Sequence, residues 1–317
     1  MNARPSLQMA DRDEEVSRFY ALPRKQAETK NQKHKQPYPN KMKLTTLATI
    51  ATLSFGTTFS SRSNAQDVQY YSVNKSQFLT QTSTAAPILD SFGFGANVAK
   101  TSGGFLISAS VTLPAGSTNP SPVVLGSDGN GNLTFAGPNS LTQTGLDGQF
   151  NNGTYGFNIT GGSGSYSGSV ALTGNAYPAA APTITNTNWA GGALVVNPAQ
   201  SFTLTWNSFS NFNAGDLVGL QDDSGTFQFN YNTNTTSQFF AAGSLAPNTS
   251  YAFTLIFEDV ANINTSSIPG APGQASYIDN TRFTVQTAPE PSTALLLLSG
   301  AVLCLRRRTL RTHERSA

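Results

Sequence analysis

Between residues 66 and 288 the apolar side chains recur at every second position, and that period commits the body of the chain to strands. Ile107, Ala109, Val111 and Leu113 alternate with Ser108, Ser110 and Thr112. Phe202, Leu204 and Trp206 alternate with Thr203 and Thr205, and Phe227, Phe229 and Tyr231 with Gln228 and Asn230. Phe283 and Val285 alternate with Thr284 and Gln286. Strands of this kind bury one face and offer Thr, Asn and Gln to water, as antiparallel sheets do. Turn signals fall between the runs at Asp128-Gly129, Asn130-Gly131, Asn152-Gly153, Gly161-Gly162 and Ser224-Gly225. No stretch shows a convincing helical period. The expected fold is all-β, built of antiparallel β-sandwiches rather than a barrel.

Tyr177-Pro178-Ala-Ala-Ala-Pro182 interrupts the alternation and reads as a linker. It divides the body into sandwich domains at 66–177 and 183–287, each close to the roughly 100 residues that such a domain needs. In the second, Leu245-Ala-Pro247-Asn-Thr249-Ser-Tyr251 leads into Phe253, Leu255 and Phe257. This run resembles the tyrosine corner of immunoglobulin-like, fibronectin type III domains, where a strand-opening Tyr hydroxyl bonds upstream backbone. The resemblance implies that Trp206 lies in the core. Asn152-Gly-Thr154-Tyr155-Gly-Phe157-Asn-Ile159 is a fainter version in the first half, whose topology stays open.

Charge narrows the function classes. Residues 66–288 contain three cations (Lys75, Lys100, Arg282) against ten acids, and neither His nor Cys, since His34, His313 and Cys304 all lie outside. That composition excludes disulfides, His- or Cys-based metal sites and Ser/His or Cys/His catalytic pairs from the body. Its negative charge argues against nucleic acid as a partner.

The ends of the chain read as addresses. Residues 1–41 are polar, mixed in charge and aperiodic, which predicts a disordered extension. An alternative is that translation starts at Met42 and 1–41 is a gene-start artefact. Met42-Lys43, an apolar run from Leu44 to Phe59, and Ser63-Asn64-Ala65 form a signal peptide over 42–65. Signal peptidase is expected to cut between Ala65 and Gln66.

At the other end, Pro289-Glu290-Pro291 precedes an apolar segment, Ser292–Leu305, and then Arg306, Arg307 and Arg308. Those 14 residues make a helix of about 21 Å, short of the roughly 30 Å bilayer core. Such a segment crosses only with local thinning and Arg snorkelling, its Arg cluster staying cytoplasmic. Residues 289–308 closely resemble the PEP-CTERM sorting domain of exported proteins of Gram-negative bacteria. The resemblance implies recognition by an exosortase, a membrane Cys protease-transpeptidase, cleavage at Pro289-Glu290-Pro291, and release or attachment of the body at the surface. The family also implies an exopolysaccharide matrix as partner. The prolines keep the backbone about Glu290 extended, as a protease requires.

Other candidate sites have plainer explanations. Asp128-Gly-Asn130-Gly-Asn132 spaces oxygen ligands like a calcium loop, yet Leu133 and Asn139 stand where an EF-hand needs Gly and Glu, so a hairpin turn is expected. Asp222-Asp223 and Glu258-Asp259 suggest a glycosidase pair, but strand neighbours point to opposite faces. Trp189, Tyr70, Tyr71 and Tyr166 are placed where rings could stack on sugar. The expected protein is a non-enzymatic surface or matrix component with no catalytic residue, metal or cofactor. The alternative is a carbohydrate-binding module, and an extracellular hydrolase would require a cleft with convergent carboxylates.

Overall fold

The computed structural model describes residues 67–174 and 177–288. Their elements in chain order are β1 (Val68–Thr80), β2 (Ile88–Lys100), β3 (Leu106–Thr112), β4 (Val123–Ser127), β5 (Leu133–Ala136), α1 (Gln143–Gln149), β6 (Gly153–Gly161), β7 (Gly164–Leu172), β8 (Trp189–Ala190), β9 (Ala193–Val196), β10 (Phe202–Thr205), β11 (Leu217–Asp222), β12 (Gln228–Tyr231), β13 (Ser237–Phe240), β14 (Ser250–Asn264) and β15 (Gly273–Thr287). The described body is mostly β, as its alternation requires. Among the described residues no helix is long and apolar enough to cross a membrane. Residues 1–41, the expected signal segment 42–65 with its expected Ala65/Gln66 junction, and the expected sorting tail 289–308 lie outside the described residues.

One sheet runs in the order β12-β11-β14-β15-β1-β2-β5-β4-β3-β6-β7, with β8 and β9 attached beside β15, and β10 and β13 form a second, two-stranded sheet. The large sheet is mixed, which corrects the expectation of purely antiparallel pairing. β1 runs parallel to β15, from Tyr71 opposite Gly273 to Thr80 opposite Arg282. β9 then takes over the same edge, also parallel, with Leu194 opposite Val285. Period-two patterning reports which face a side chain takes and carries no information on strand direction. Parallel partners need a long crossover, and here nearly the whole described chain supplies it.

The sheet curls because β4 changes partners midway. Its Val123, Val124 and Leu125 pair with β3, whereas Gly126 and Ser127 pair with β5. The wall β15-β1-β2 thereby faces the wall β3-β6-β7 across a first core containing Val73, Phe94, Val111, Phe150, Phe157 and Tyr277. Tyr71 fixes the approach of β7 to β15. Any Cβ on Gly168 or Gly273 would collide with its ring, so both positions require glycine for closeness rather than for backbone freedom.

A second core lies between the β10/β13 sheet and the inner faces of β11, β14 and β15, with Leu204, Trp206, Leu220, Phe240, Phe253 and Phe283 inside. Residues 178–182 separate the two cores in sequence, but the long β14–β15 hairpin serves both. Phe253, Phe257, Phe283 and Val285 enter the second core, while Ile268, Ala271, Ala275 and Tyr277 enter the first. Gln81, 1% exposed, ties the halves at their seam. Its Nε2 donates to the Ile184 carbonyl at 3.0 Å, and its Oε1 accepts from the Ile184 amide at 2.8 Å.

Three local expectations change. Ile107 is exposed rather than buried, because a register irregularity between Leu106 and Ser108 turns Leu106 inward and moves Ile107 to the solvent face. Asn152-Gly153 opens β6 and is not a hairpin turn. A helix exists where none was expected. α1 has Gly145 and Gly148 inside it and only Leu146 buried, so it has no apolar stripe, and it starts because the Thr142 hydroxyl accepts the Gly145 amide at 3.1 Å.

Candidate functional site

The alternation of β1 through Tyr71, Val73 and Lys75 turns a lysine into the first core. Lys75 pairs with Phe94 on β2 and with Tyr277 on β15, both core residues, and it is fully buried. A buried ammonium requires polar partners. Two reach it: Asp147 Oδ1 on α1 lies 2.5 Å from Nζ, and Asn152 Oδ1, just before β6, lies 2.6 Å away.

Each partner is itself held. α1 carries Asp147 over the core, with Leu146 packed beneath and the Phe150 amide donating to the Leu146 carbonyl at 2.8 Å. The Asn152 Nδ2 donates to the Gly174 carbonyl at 2.5 Å, and its Oδ1 also accepts from the Tyr277 hydroxyl at 3.2 Å. Tyr277 contacts the Gly174 carbonyl as well, at 2.8 Å. Aromatic rings close the surroundings: Phe94 stacks on Phe150 with centroids 4.2 Å apart and on Tyr155 at 5.3 Å, and Tyr177 meets Tyr277 edge-on at 5.0 Å.

The electrostatics follow from burial. Desolvation pulls the Lys75 pKa below its ordinary value, against the hydrogen bond and charge of Asp147, which favour the ammonium. The Tyr277 hydroxyl is pushed up to about 12, first by burial and then by the negative charge of Asp147. Burial likewise raises Tyr155 and Tyr177. Next along β15 on the same face, Asp279 is 2% exposed, its Oδ1 has no hydrogen-bond partner among the described residues, and burial pushes its carboxyl up to about 8. The site therefore brings an amine, a carboxylate and a carboxamide within hydrogen-bonding distance in a low-dielectric pocket, with a phenol on the carboxamide oxygen.

The residues singled out in the sequence are placed elsewhere. Asp128 spends its carboxylate on its own turn, accepting from Asn130 N at 2.7 Å and from Asn132 N and Nδ2 at 3.1 and 2.8 Å. Partial burial works to raise its pKa, but these hydrogen bonds outweigh it and hold the carboxyl low. Asp222 accepts the Phe227 amide at 2.8 Å and the Ser224 hydroxyl, closing the β11–β12 turn, and Asp223 pairs with Arg282. Glu258 and Asp259 face opposite sides of β14, pairing with Ile278 and Tyr277. Glu258 is pushed up to about 7, chiefly by burial, and its Oε1 accepts from Gln274 at 2.6 Å.

The aromatic candidates divide. Tyr70 and Tyr71 are buried, which corrects their expected exposure: β1 is a central strand with neighbours on both edges. Tyr166 packs on the first core and its hydroxyl donates to Asp67 at 3.2 Å. Trp189 is half-buried on the second core, its indole N–H donating to the Asn186 carbonyl at 2.7 Å. A groove of mixed polarity, lined by Asn186, Asn188, Val196, Asn197, Gln200 and Phe202, adjoins this segment. Trp206 is buried and donates to the Thr235 carbonyl at 2.7 Å. The Tyr251 hydroxyl accepts the Ala246 amide at 2.8 Å, a bond to upstream backbone of the kind a tyrosine corner makes.

Sequence reasoning missed Lys75, Asp147 and Asn152. The signal was present for the first: Lys75 occupies the core phase of an alternating strand in a body with only three cations.

No protein-family model matches the chain, and no curated protein is similar to it. Among solved structures it is similar to a biofilm-associated protein, BSP domain, at 15% identity, with 68% of this chain and 30% of that chain covered and a TM-score of 0.19. A likeness at that score bears no weight for fold or function.

Proposed function

We propose that this chain is an exported, non-enzymatic protein of the cell surface or extracellular matrix with a structural or adhesive role. On this reading the signal at 42–65 directs export, signal peptidase cuts between Ala65 and Gln66, and the apolar segment 292–305 holds the protein in the membrane. An exosortase-type transpeptidase then processes Pro289-Glu290-Pro291, with Arg306, Arg307 and Arg308 on the cytoplasmic side. The second half serves as a fibronectin type III-like sandwich, and an exopolysaccharide matrix is the partner.

One observation carries the reading: the sorting tail hangs from the most firmly held strand. β15 is paired along both edges by β14, β1 and β9. Its pairing persists to the last residue before the motif, since the Thr287 amide donates to the Thr249 carbonyl and the Ala288 amide to the Val196 carbonyl, both at 2.9 Å. Pro289 comes immediately after. An attachment made there is transmitted to a central strand rather than to a frayed end. β1, nearest the N-terminal end, lies parallel to β15, so tension between the two ends shears their whole ladder at once. The test is to express the chain and Glu290→Ala in the native host and fractionate the cells. Processing predicts different locations and different C-termini, and identical ones overturn the sorting reading.

The groove lined by Asn186, Asn188, Asn197, Gln200 and Phe202 favours a second reading, a carbohydrate-binding module, because amide side chains around an aromatic ring suit sugar hydroxyls and a ring face. Titration of the purified protein with host exopolysaccharide, following Trp fluorescence with and without Asn188→Ala in the groove lining, decides it. A signal that survives the substitution removes the groove from consideration.

A further inference from the structure

The Lys75 cluster is more than a salt bridge. An amine, a carboxamide carbon with a leaving group, and a carboxylate able to move protons are all that an amide exchange requires. The three side chains come from separate parts of the chain, β1, α1 and the approach to β6, and meet at the edge of the first core, with Lys75 fully buried and the two partners partly exposed. We infer that Lys75 and Asn152 join through an intramolecular isopeptide bond, formed by attack of Nζ on the Asn152 side-chain carbonyl carbon with Asp147 as the proton carrier. The inference rests on these residues alone and stands independently of the surface role.

The step balances without any added reagent. Asp147 takes one proton from the Lys75 ammonium, whose charged form burial disfavours, leaving a neutral amine and a neutral acid. The amine lone pair forms the Nζ–Cγ bond, and charge moves to Oδ1, toward which the Tyr277 hydroxyl, 3.2 Å away, turns its one proton from the Gly174 carbonyl. A further Nζ proton passes to Nδ2 through Asp147, the Cγ–Nδ2 bond breaks with its electrons on nitrogen, and ammonia leaves. Asp147 finishes protonated and returns that proton to the ammonia in water. Nothing is oxidised or reduced.

Geometry selects Asn152 rather than Asp147 as the acyl partner. The Asn152 amide is fixed at both ends, by the Gly174 carbonyl on Nδ2 and by Tyr277 on Oδ1, and it carries a nitrogen that can depart. Asp147 retains 32% side-chain exposure and Lys75 none, so the carboxylate is the group with an outlet to water. Holding the amine within hydrogen-bond reach of the amide supplies the proximity that makes an otherwise negligible exchange feasible.

The experiment is mass spectrometry of the full-length chain purified from its host or from a heterologous cell. The expected chain is lighter than its sequence by one ammonia, after allowing for signal removal. Trypsin then fails to cut after Lys75, and tandem spectra join Lys75 to Asn152. Asp147→Ala, which retains both bonded partners, and Asn152→Ala each restore the mass and the tryptic cut. A wild-type chain cut normally after Lys75 at full mass overturns the inference. So does a chain lighter by one water with Lys75 joined to Asp147, and so does an Asp147→Ala chain that still carries the link. Because the decisive reading is made on the unmutated protein, a variant that folds poorly does not shield the proposal.

Discussion

The two cores solve the same packing problem with different materials. The second is apolar, with an aromatic cluster at its centre: Phe253 lies near Phe227, Phe240, Tyr251 and Phe283, with ring centroids between 5.8 and 6.3 Å. The first wraps its rings around a buried lysine and two polar partners. An apolar core gains stability from area removed from water and tolerates substitution by volume. A polar cluster inside a core is costly unless every group is satisfied, and it tolerates almost no change of identity. The first core therefore trades tolerance for specificity, and the β14–β15 hairpin, running through both, decides whether they fail together.

The largest effect expected is on the shared strand β15, through Asp279. Its carboxyl titrates at about 8 in the folded chain against an ordinary 3.8. The folded chain therefore binds more protons than the unfolded chain between those values. The stabilising contribution is complete below about pH 4 and is lost as pH rises through 8, a change on the order of 5 kcal/mol. Melting temperature should fall steadily from pH 5 to pH 8, and Asp279→Asn should reduce that slope, most of all between pH 7 and 8, above the range in which buried Glu258 contributes in the same direction. An unchanged slope in the variant removes Asp279 as its source.

Next comes Phe253→Ala, which empties the centre of the aromatic cluster and should cost about 4 kcal/mol. Because β14 and β15 serve both cores, the loss should appear as one earlier transition. Two separated transitions by calorimetry would show that the cores are independent after all. Gln81→Ala is smaller, about 2 kcal/mol, since it strands the Ile184 amide and carbonyl at a buried position. Here the comparison sharpens: if the seam is weaker than either core, this variant should split a single transition, and denaturant melts read by Trp fluorescence, whose two reporters Trp189 and Trp206 lie in the second half, against far-ultraviolet circular dichroism would reveal the split.

How much of this was legible divides along the same line. The second core was readable because its signals are local: Phe202, Leu204 and Trp206 alternate along one strand, and Tyr251 bonds a residue five positions upstream. The first was readable as β, yet not as a site. Lys75, Asp147 and Asn152 converge only after β1, α1 and β6 are assembled, and no spacing in the sequence reports that encounter. Direction was illegible for the same reason, since β1 and β15 pair across the length of the body. The bulge that exposes Ile107 was hidden because one inserted residue inverts the phase while leaving the composition unchanged.

The finest test of the contrast uses two tyrosines in like positions. Tyr251 accepts the Ala246 amide at 2.8 Å near the surface, and Tyr155 donates to the Asn151 carbonyl at 2.7 Å from a fully buried ring. Replacing each by Phe removes one hydroxyl and preserves the ring. Water can take over the freed Ala246 amide, so Tyr251→Phe should cost about 0.5–1 kcal/mol in denaturant melts. Tyr155→Phe should cost about 1–2 kcal/mol, because the carbonyl it abandons belongs to the residue beside Asn152 and has less water to replace the lost donor. It should also loosen the segment that presents Asn152 to Lys75, which the fraction of chains carrying the ammonia loss would register. Equal costs for the two variants, with that fraction unchanged, would mean that the polar cluster is no more exacting than the aromatic core.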